Sequence, residues 1–570
     1  MDIKILRHSA AHVLAQAVKR LFPDVKLGIG PVIEDGFYYD FDRKTPFTPD
    51  DLKKIEAEMQ KIIKENNKFQ KIKEPKDFFK NEPFKKDLYQ DLKKDKQKAT
   101  FYQDGDFIDL CKGPHINSTS EIKAFKLVKV AGAYWKGDQS KQQLQRIYGV
   151  AFKTKEELND YLRILEEAEK RNHIKLGKQL DLFSIHLEGH GFIFWHNNGM
   201  ILRNELINYW REEHRNAGYI EVSTPILLSK TLWETSGHWK LYKDNIYTTK
   251  IDEKDFAIKP MNCPGGMLIY KTKLHSYKEL PLRVAELGLV HRHELSGVLN
   301  GLFRVRAFTQ DDAHIFCTEE QLESEIINVI KLIQKMLKTC GFKNYRYALS
   351  VRDPKNKEKY LGTDNGWKSA ENALASSLKK LKLDFEIKEG EAKFYGPSLD
   401  ILIEDSLKRE WQCGTIQLDF NMPERFDITY EGKDGKKHRP FMLHRVVYGS
   451  FERFIGVLLE HYAGNLPFWL SPLQVIVMTV TDRNKKFANE IVEELKKYNF
   501  RVELDDKPES IGKKVREAQL KKANYSITIG DKETKNNTLA VRTRKGNVTF
   551  GVKLPKFIKD LEEERSKRAY

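Results

Sequence analysis

The hydrophobic pattern changes character between the two ends of the chain. In RHSAAHVLAQAVKRLFP, which starts at Arg7, the apolar residues Leu14, Ala17, Val18 and Leu21 fall on one side of a helix that ends near Pro23. From Ser471 onward, apolar strands alternate with amphipathic helices, in the order LQVIVMTV, 484–498, FRVELD, 511–523, YSITIG and TLAVRT. That order predicts a small C-terminal α/β domain with a mostly parallel sheet.

The pattern between these ends predicts two further parts. Residues 154–175 read as one long charged helix with a thin apolar stripe, and Thr154 with Glu157 forms a capping box at its start. Most of the aromatic residues and apolar strands follow, between residues 176 and 467. We therefore predict an α+β chain of four parts: residues 1–153, a linker helix at 154–175, a large domain at 176–467 and a C-terminal domain at 468–570.

Composition narrows the functional class only slightly. The net charge of +17 favours a polyanionic partner, although a Lys-rich surface can have other origins. The five cysteines contain no CxxC pair, which argues against a disulfide framework and for a reducing compartment. No apolar run approaches a membrane span, and the first residues lack the apolar core of a secretion signal. We therefore expect a cytoplasmic protein without a membrane partner.

Polar side chains that could take part in binding or catalysis share one face of a predicted strand. In LFRVRAFTQDDAHIFCT, from Leu302, alternation puts six residues on that face: Arg304, Arg306, Phe308, Gln310, Asp312 and His314. Burying such groups unpaired would cost several kcal/mol. The face is therefore either a solvated edge or part of a functional site.

Two histidines lie one helical turn apart near the start of the chain. His8 and His12 are on the opposite side of the first helix from its apolar stripe. They are either solvated surface residues or a pair that converges on one metal ion or one substrate. The choice between these readings depends on partners from elsewhere in the chain.

Several motifs together resemble the class II aminoacyl-tRNA synthetases, and the threonyl-tRNA synthetase family most closely. They are KPMNCPGG, RVRAFTQDDAHIFC, FYGPSLDI, WQCGTIQLDF and HRVVYGSFERFIGVLLE. The resemblance covers nearly the whole chain. It implies an antiparallel-sheet catalytic core, an N-terminal α+β editing domain, a C-terminal α/β anticodon-binding domain and the absence of a ubiquitin-like domain before the editing domain. It also implies a homodimer that uses ATP with Mg²⁺ to ligate threonine to its tRNA.

The resemblance assigns roles around the nucleotide and the amino acid. The residues implied in ATP binding are Arg292, Glu294, Arg304, Gln412 and Arg453, of which Arg292 and Arg453 are catalytic together with His238. Those implied in threonine binding are Met261, Gln310, Asp312, Tyr395 and Gln417. Arginine suits phosphate binding because its planar guanidinium can donate hydrogen bonds to two phosphate oxygens at once.

The same family binds zinc, and its ligands correspond to Cys263, His314 and His444. Spacing alone does not indicate this site, because a buried cysteine and two hydrogen-bonded histidines that bind no metal would give the same sequence pattern. Three N/S ligands do leave a fourth position open, as in zinc sites that bind a substrate. Threonine could then coordinate the metal through its amino and hydroxyl groups, which valine cannot do, whereas serine would still be accepted.

Because the zinc site would still accept serine, a second site that rejects serine is implied. A later motif supplies residues that could act there together with His8 and His12. HSAAH and DGDFIDLCKGPH resemble the editing domain shared by threonyl- and alanyl-tRNA synthetases. The residues implied in hydrolysis of seryl-tRNA are His8, His12, Lys85, Asp109, Cys111 and His115. These side chains could hold a second zinc ion, or they could act through water and acid–base groups. The threonyl-like character of the chain favours the metal-free reading.

Two positions depart from the family pattern, and the C-terminal domain matches it only in part. The family usually has lysine at Ser398 and histidine at Gly266, so a cation beside the reacting phosphate is missing unless another residue replaces it. Glu533 and Arg542 are the implied readers of the anticodon. An alternative function is therefore an RNA-binding regulatory paralogue with a weakened catalytic site.

Overall fold

The structure is a computed structural model that describes residues 2–138 and 140–568, and its contacts divide the chain into two compact units, residues 1–166 and 167–570. No helix of the described ranges combines the length and the apolarity that crossing a bilayer requires.

Among the residues that the structure describes, the first unit has four α-helices and two sheets. The helices are α1 (Ile3–Leu21), α2 (Pro49–Glu65), α3 (Pro83–Lys94) and α4 (Lys155–Lys170), of which α4 continues past residue 166. The strands are β1 (Lys26–Leu27), β2 (Val32–Ile33), β3 (Gly36–Asp42), β4 (Phe69–Ile72), β5 (Phe101–Asp104), β6 (Phe107–Leu110), β7 (Ala124–Tyr134) and β8 (Gln143–Phe152). One sheet has the order β1-β3-β8-β7 with β2 beside β3, and the other is β4-β5-β6.

Helix α1 is the centre of this unit. It lies between α2 and strands β3 and β8, so its small alanines are buried as well as Leu14 and Val18. His12 is also buried, with 1% of its surface exposed. The interpretation of His8 and His12 as a pair of solvated surface residues is therefore wrong.

The second unit contains the remaining elements. Its helices are α5 (His173–Gln179), α6 (Asn197–Asn216), α7 (Lys230–Ser236), α8 (His238–Leu241), α9 (Cys263–Tyr270), α10 (Glu319–Thr339), α11 (Asp364–Lys380), α12 (Met422–Arg425), α13 (Phe451–His461), α14 (Lys485–Lys497), α15 (Ile511–Leu520), α16 (Asp531–Asn536) and α17 (Leu554–Lys567). Its strands are β9 (Phe183–Ser184), β10 (Phe194–Trp195), β11 (Ile220–Glu221), β12 (Leu227–Ser229), β13 (Thr248–Ile251), β14 (Lys254–Ile258), β15 (Leu282–His291), β16 (Ala307–Cys317), β17 (Tyr345–Val351), β18 (Phe385–Glu389), β19 (Ser398–Glu404), β20 (Glu410–Asp419), β21 (Tyr430–Glu431), β22 (Lys437–His438), β23 (Phe441–Ser450), β24 (Val475–Thr479), β25 (Val502–Asp505), β26 (Tyr525–Ile529), β27 (Leu539–Thr543) and β28 (Val548–Val552).

A large, mainly antiparallel sheet dominates this unit. Its strand order is β11-β15-β16-β23-β20-β19-β17-β18, and only the two edge pairs, β11 with β15 and β17 with β18, are parallel. Helices α10 and α13 bury their apolar faces in the main hydrophobic core against this sheet. The predicted antiparallel core is confirmed.

The predicted linker helix is two helices rather than one. Helix α4 ends at Lys170, and α5 begins at His173. Asn172 separates them because its side-chain oxygen accepts hydrogen bonds from Ile174 N and Lys175 N, which caps the second helix. The single long helix expected from the apolar stripe is therefore wrong.

The C-terminal sheet is mixed rather than mostly parallel. Its order is β25-β24-β26-β27-β28, with the first three strands parallel and the last two antiparallel to their neighbours. The connections on either side of β27 are too short for a parallel crossover, which needs a dozen residues or more. Gly546, with φ of +93°, lies in the tight turn between β27 and β28.

The strand that carries the polar face begins five residues later than expected. Residues 302–306 belong to a tight turn in which Arg304 N donates to Asn300 O, and β16 starts only at Ala307. Arg304 and Arg306 therefore lie beside the strand rather than on its face. The prediction that one polar strand face runs continuously from Leu302 is therefore wrong for residues 302–306.

Candidate functional site

A cavity of about 550 Å³ in the second unit collects the residues implied in ATP binding. Five of those residues line it, namely Arg292, Glu294, Arg304, Gln412 and Arg453. Gln310, which the resemblance assigned to threonine, lines the same cavity. Lys393, which the sequence did not single out, adds an exposed cation to its wall.

Two arginines of this cavity are anchored through one nitrogen each. Arg292 follows β15, and its Nε donates to Pro260 O at 3.2 Å. Arg453 lies in the first turn of α13, and its Nε donates to Phe303 O at 3.0 Å. Anchoring at Nε leaves the two terminal nitrogens of a guanidinium for bidentate contact with an anion.

Two further residues of the set are held by charged partners. Arg304 Nη2 lies 2.9 Å from Glu294 Oε2. Gln412 Nε2 donates to Asp400 Oδ1 at 2.7 Å. These contacts fix both sides of the cavity mouth before any ligand is bound.

Three side chains beside this cavity are arranged as ligands for one metal ion. The ligand atoms of Cys263, His314 and His444 lie within 4.8 Å of one another. Asp419 Oδ2 is 3.1 Å from His444 Nε2, which fixes that ring's orientation. His314 Nε2 is buried and has no hydrogen-bond partner among the described residues. A buried nitrogen without a partner is costly, so this donor set fits a bound zinc ion.

Two of the three ligands, Cys263 and His444, line a smaller recess. His238, Cys263, Tyr395, Asp419 and His444 are among its lining residues. Burial lowers the pKa of His238 to about 4, so its ring is neutral at pH 7.

Three other residues implied in threonine binding do not line the recess, but they lie near residues of the recess or of the metal-ligand group. Met261 Sδ is 2.8 Å from His238 Nε2. Asp312 Oδ2 lies 3.7 Å from His314 Nε2, and burial raises the pKa of Asp312 to about 6. Gln417 is buried and donates to Gly396 O at 3.3 Å.

Strand register explains why the cavity and the ligand group are neighbours. In the β16–β23 pair, His314 lies opposite His444, and Gln310 lies opposite Ser450. A bulge between Gln310 and Asp312 shifts the register between these two points. The same two strands therefore contribute residues to both sites.

A buried carboxylate that the sequence did not single out holds the bulge. Asp311 is fully buried, and it accepts hydrogen bonds from Val447 N at 2.9 Å, Tyr448 N at 3.0 Å and Gly449 N at 2.8 Å. Burial raises the pKa of Asp311, while Arg445 and the backbone N–H groups oppose that rise. Asp311 thus fixes the segment that leads into α13 and Arg453.

We expect Asp311→Ala to destabilise the second unit. It would leave the N–H groups of Val447 and Tyr448, which are buried, and that of Gly449, which is half-buried, without this acceptor. Each buried group costs roughly 1–3 kcal/mol. A loss of about 3 kcal/mol or more should appear in denaturant unfolding followed by tryptophan fluorescence. Asp434→Ala, at an exposed carboxylate, is the control and should change the free energy of unfolding by less than about 0.5 kcal/mol. Equal effects of the two substitutions would contradict this role.

A separate cavity of about 590 Å³ lies in the first unit. His8, His12, Lys85, Asp109 and Cys111 line it. His115 lies against them, with its ring centroid 4.6 Å from that of His8 and its Nε2 3.1 Å from Cys111 Sγ. The structure therefore brings all six predicted editing residues together.

One buried ion pair lies in this cavity. Lys85 Nζ lies 2.6 Å from Asp109 Oδ1, and each side chain is 2% exposed. Tyr39 Oη donates to Asp109 Oδ2 at 2.6 Å, a partner the sequence did not reveal. The pair gives the cavity both a cation and an anion at fixed positions.

The histidines and the cysteine in this cavity are neutral at pH 7. Burial lowers the pKa of His8 and His12, and it lowers that of His115 to about 2. Burial raises the pKa of the Cys111 thiol to about 12. The ligand atoms of His8, His12, Cys111 and His115 also lie within 4.8 Å of one another, so the group has the geometry of a metal site as well as that of an acid–base site.

The two residues predicted to read the anticodon already have local partners. Glu533 Oε2 accepts from Gly530 N at 3.0 Å and so caps α16. Arg542, on β27, donates from Nη1 to Gly546 O at 3.0 Å.

Comparison with known proteins defines the class of this chain. The class II tRNA synthetase core domain (G, H, P, S and T) matches residues 247–462, and an anticodon-binding domain matches residues 474–564. The threonyl and alanyl tRNA synthetase second additional domain matches residues 99–148. Together with the antiparallel sheet, these matches make the chain a class II aminoacyl-tRNA synthetase.

Full-length relatives then define the family. The chain is 55% identical over 571 residues to the threonine--tRNA ligase of Clostridium tetani, which covers 99% of this chain and 88% of that protein. It is 56% identical to that of Acetivibrio thermocellus, with 98% and 88% covered. The chain belongs to the threonyl-tRNA synthetase family.

Solved structures agree with this assignment. The RNA-binding domain of threonyl-tRNA synthetase from Cryptosporidium parvum has a TM-score of 0.65 and 41% identity, and the match covers 69% of this chain and 98% of that one. A putative threonyl-tRNA synthetase from Aeropyrum pernix has a TM-score of 0.64 and 31% identity, with 70% and 96% covered.

Proposed function

We propose that this chain is a threonine--tRNA ligase that also hydrolyses seryl-tRNA(Thr). Threonine reacts with ATP to give threonyl-adenylate and pyrophosphate, and the threonyl group then passes to tRNA(Thr). The observation that carries the proposal is that β16 and β23 carry two of the three metal ligands and part of the cationic cavity wall, with His314 opposite His444 and Gln310 opposite Ser450. A site that joins a nucleotide to a polar amino acid needs both features side by side.

The cavity would hold ATP with Mg²⁺. The threonine carboxylate attacks the α-phosphorus, the bond to the bridging oxygen breaks, and pyrophosphate leaves. Arg292 binds the α-phosphate, while Arg304 and Arg453 bind the leaving pyrophosphate, and Glu294 and Gln412 contact the nucleoside. This chemistry requires fixed cations where negative charge shifts. Lys393 is the cation of this chain that takes over from the family lysine at Ser398.

The smaller recess would hold threonine. Cys263, His314 and His444 would hold one zinc ion, which would supply a Lewis acid for the amino and hydroxyl groups of threonine. Asp312 accepts the hydroxyl proton, and Tyr395, Met261, Gln417 and His238 close around the side chain. A site built to bind a hydroxyl group rejects valine strongly, but it cannot reject serine to the same degree.

The remaining assignments are proposals of the same kind. Residues 1–153 form the editing domain, residues 176–467 the catalytic domain and residues 468–570 the anticodon-binding domain. Glu533 and Arg542 face the anticodon in the last of these. The protein acts as a cytoplasmic homodimer.

Pyrophosphate exchange with three amino acids tests the function. Threonine should support rapid exchange between ATP and labelled pyrophosphate, serine should support slower exchange, and valine should support almost none. Absence of exchange with threonine, together with retained tRNA binding, would contradict the proposal and favour the RNA-binding alternative.

We expect the purified protein to hold one zinc ion per chain. His444→Ala removes one of three zinc ligands. It should weaken zinc retention by at least about tenfold, because mutation of residues that merely orient a ligand already lowers metal affinity by that much. Metal analysis after dialysis against a chelator measures this directly. His438→Ala, at an exposed histidine, should retain the wild-type metal content. A second ion that is lost from His12→Ala would show that the editing group also binds zinc.

A further inference from the structure

His173 is a buried histidine that the proposed reaction does not use. It is the first residue of α5 and is 1% exposed. Its Nδ1 lies 2.7 Å from Glu460 Oε1, and its Nε2 lies 3.0 Å from Leu302 N. One ring therefore joins the end of α13 to the turn that precedes β16.

These two contacts fix the tautomer of the ring. Leu302 N is a donor, so His173 Nε2 must accept and cannot carry a proton. His173 Nδ1 therefore carries the proton and donates it to Glu460 Oε1, which also accepts from His173 N at 3.0 Å. The other oxygen of Glu460 accepts from Arg409 Nη2 at 2.6 Å. The carboxylate is thus satisfied on both sides.

The turn held by His173 forms a wall of the nucleotide cavity. Phe303 lines that cavity, and its ring centroid is 4.0 Å from that of His173 and 4.4 Å from that of Trp411. The carbonyl of the same residue accepts from Arg453 Nε at 3.0 Å. Whatever fixes the backbone at 302–303 therefore fixes an aromatic wall and a phosphate-side arginine together.

Packing leaves this turn little freedom to compensate. A Cβ at Gly301 would lie 2.2 Å from His173 Nε2, and Gly301 has φ of +48°. The turn and the ring are thus in direct contact at the position where only glycine fits.

We infer that His173 is a positioning residue for ATP, which sets Phe303 and Arg453 through its hydrogen bond to Leu302 N. The inference rests on the proposed function of the cavity. His173 touches neither nucleotide nor amino acid, so its loss should impair ATP use and spare threonine binding. A small displacement of reacting groups can lower a rate by about 10²-fold.

Two substitutions separate the two hydrogen bonds of the ring. The amide of glutamine reaches the position of Nε2, so His173→Gln keeps an acceptor for Leu302 N but loses the donor to Glu460. The amide of asparagine reaches only the position of Nδ1, so His173→Asn keeps the bond to Glu460 and loses that to Leu302. His461→Asn is the matched control, because that histidine is the last residue of α13, next to Glu460, and packs against Phe342 instead of Phe303.

The test is steady-state pyrophosphate exchange with ATP and threonine varied in turn. We expect His173→Asn to lower kcat/KM for ATP by about 10- to 100-fold with little change in the KM for threonine, and His173→Gln to recover most of that loss. Thermal melting of each variant shows whether it is folded. Equal behaviour of the glutamine and asparagine variants, or parallel changes in both KM values, would overturn the inference. If the wild type itself lacked exchange, the proposed function would fail, and ATP titration of the same variants would still test His173.

Discussion

Replacement of Arg292 by alanine should lower threonine-dependent pyrophosphate exchange by about 10³-fold, which corresponds to roughly 4 kcal/mol of transition-state stabilisation. Arg292 is anchored at Pro260 O through Nε, and its guanidinium lies 5.1 Å from the Phe308 ring centroid. It is therefore positioned before ATP arrives. Its contribution falls where charge develops on the α-phosphate, and water cannot reproduce a fixed cation at that point.

A graded series of variants makes this prediction specific. Lys393 is exposed at the cavity wall, so Lys393→Ala should cost only about tenfold, as expected for a partly solvated cation. Arg346→Ala is the control, because that exposed arginine pairs with Glu386 and Glu410 on the same large sheet. Its exchange rate should equal that of the wild type.

The measurement is exchange at saturating threonine, with tRNA binding followed in parallel. Binding of tRNA should be unchanged in Arg292→Ala, since the substitution lies within the nucleotide cavity. Exchange within about threefold of the wild type would remove Arg292 from the mechanism.

The family resemblance, rather than side-chain type alone, located the catalytic site in the sequence. Arg292, Arg453 and the three predicted metal ligands stand in its motifs, and the structure brings each set together. The six predicted editing residues come from three segments, namely α1, α3 and residues 109–115. That these residues lie close together could be inferred only from the family resemblance, because no spacing rule connects residue 12 to residue 111.

The missed residues act through the backbone, which has no sequence signature. Asp311 and His173 both accept hydrogen bonds from N–H groups of distant segments. On the alternating pattern Asp311 falls on the face opposite Gln310 and Asp312, to which the sequence analysis assigned no role. Only the bulge between β16 and β23 shows why a carboxylate is needed there.

The errors in the predicted elements have a common physical origin. Asn172 interrupts a continuous apolar stripe, because its capping hydrogen bonds outweigh the periodicity on either side. The short connections around β27 reverse the strand direction, although the strands read alike. In both cases a local backbone constraint decides what hydrophobic spacing leaves open.

His8→Ala should leave threonine charging intact and allow seryl-tRNA(Thr) to accumulate. Serine lacks only one methyl group of threonine, and one methyl is worth roughly 1–3 kcal/mol in a pocket. The catalytic site therefore releases mischarged tRNA at a rate that a second site must correct. Without His8, hydrolysis of seryl-tRNA(Thr) should fall by about 10²-fold, the lower range of general acid–base catalysis.

The physical reason lies in the protonation state of the cavity. Burial lowers the pKa of His8, so its ring is neutral at pH 7 and can accept a proton from an attacking water. His8 Nε2 is buried without a hydrogen-bond partner among the described residues, which is the state expected of a group that awaits a substrate or a water. Lys85 and Asp109 hold each other at 2.6 Å and are unsuitable for the first test, because breaking a buried ion pair costs about 3–5 kcal/mol in stability.

The experiment follows deacylation of preformed seryl-tRNA(Thr) and, separately, charging with threonine. His438→Ala, in the other compact unit, controls for loss of a histidine and should deacylate at the wild-type rate. If His8→Ala also deacylates at that rate, the cavity of the first unit has another role, even though its six polar residues converge. If charging with threonine falls as well, the substitution has damaged the fold, and His8→Gln, which keeps the side-chain volume and a polar atom, must then separate the two effects by restoring charging while hydrolysis stays low.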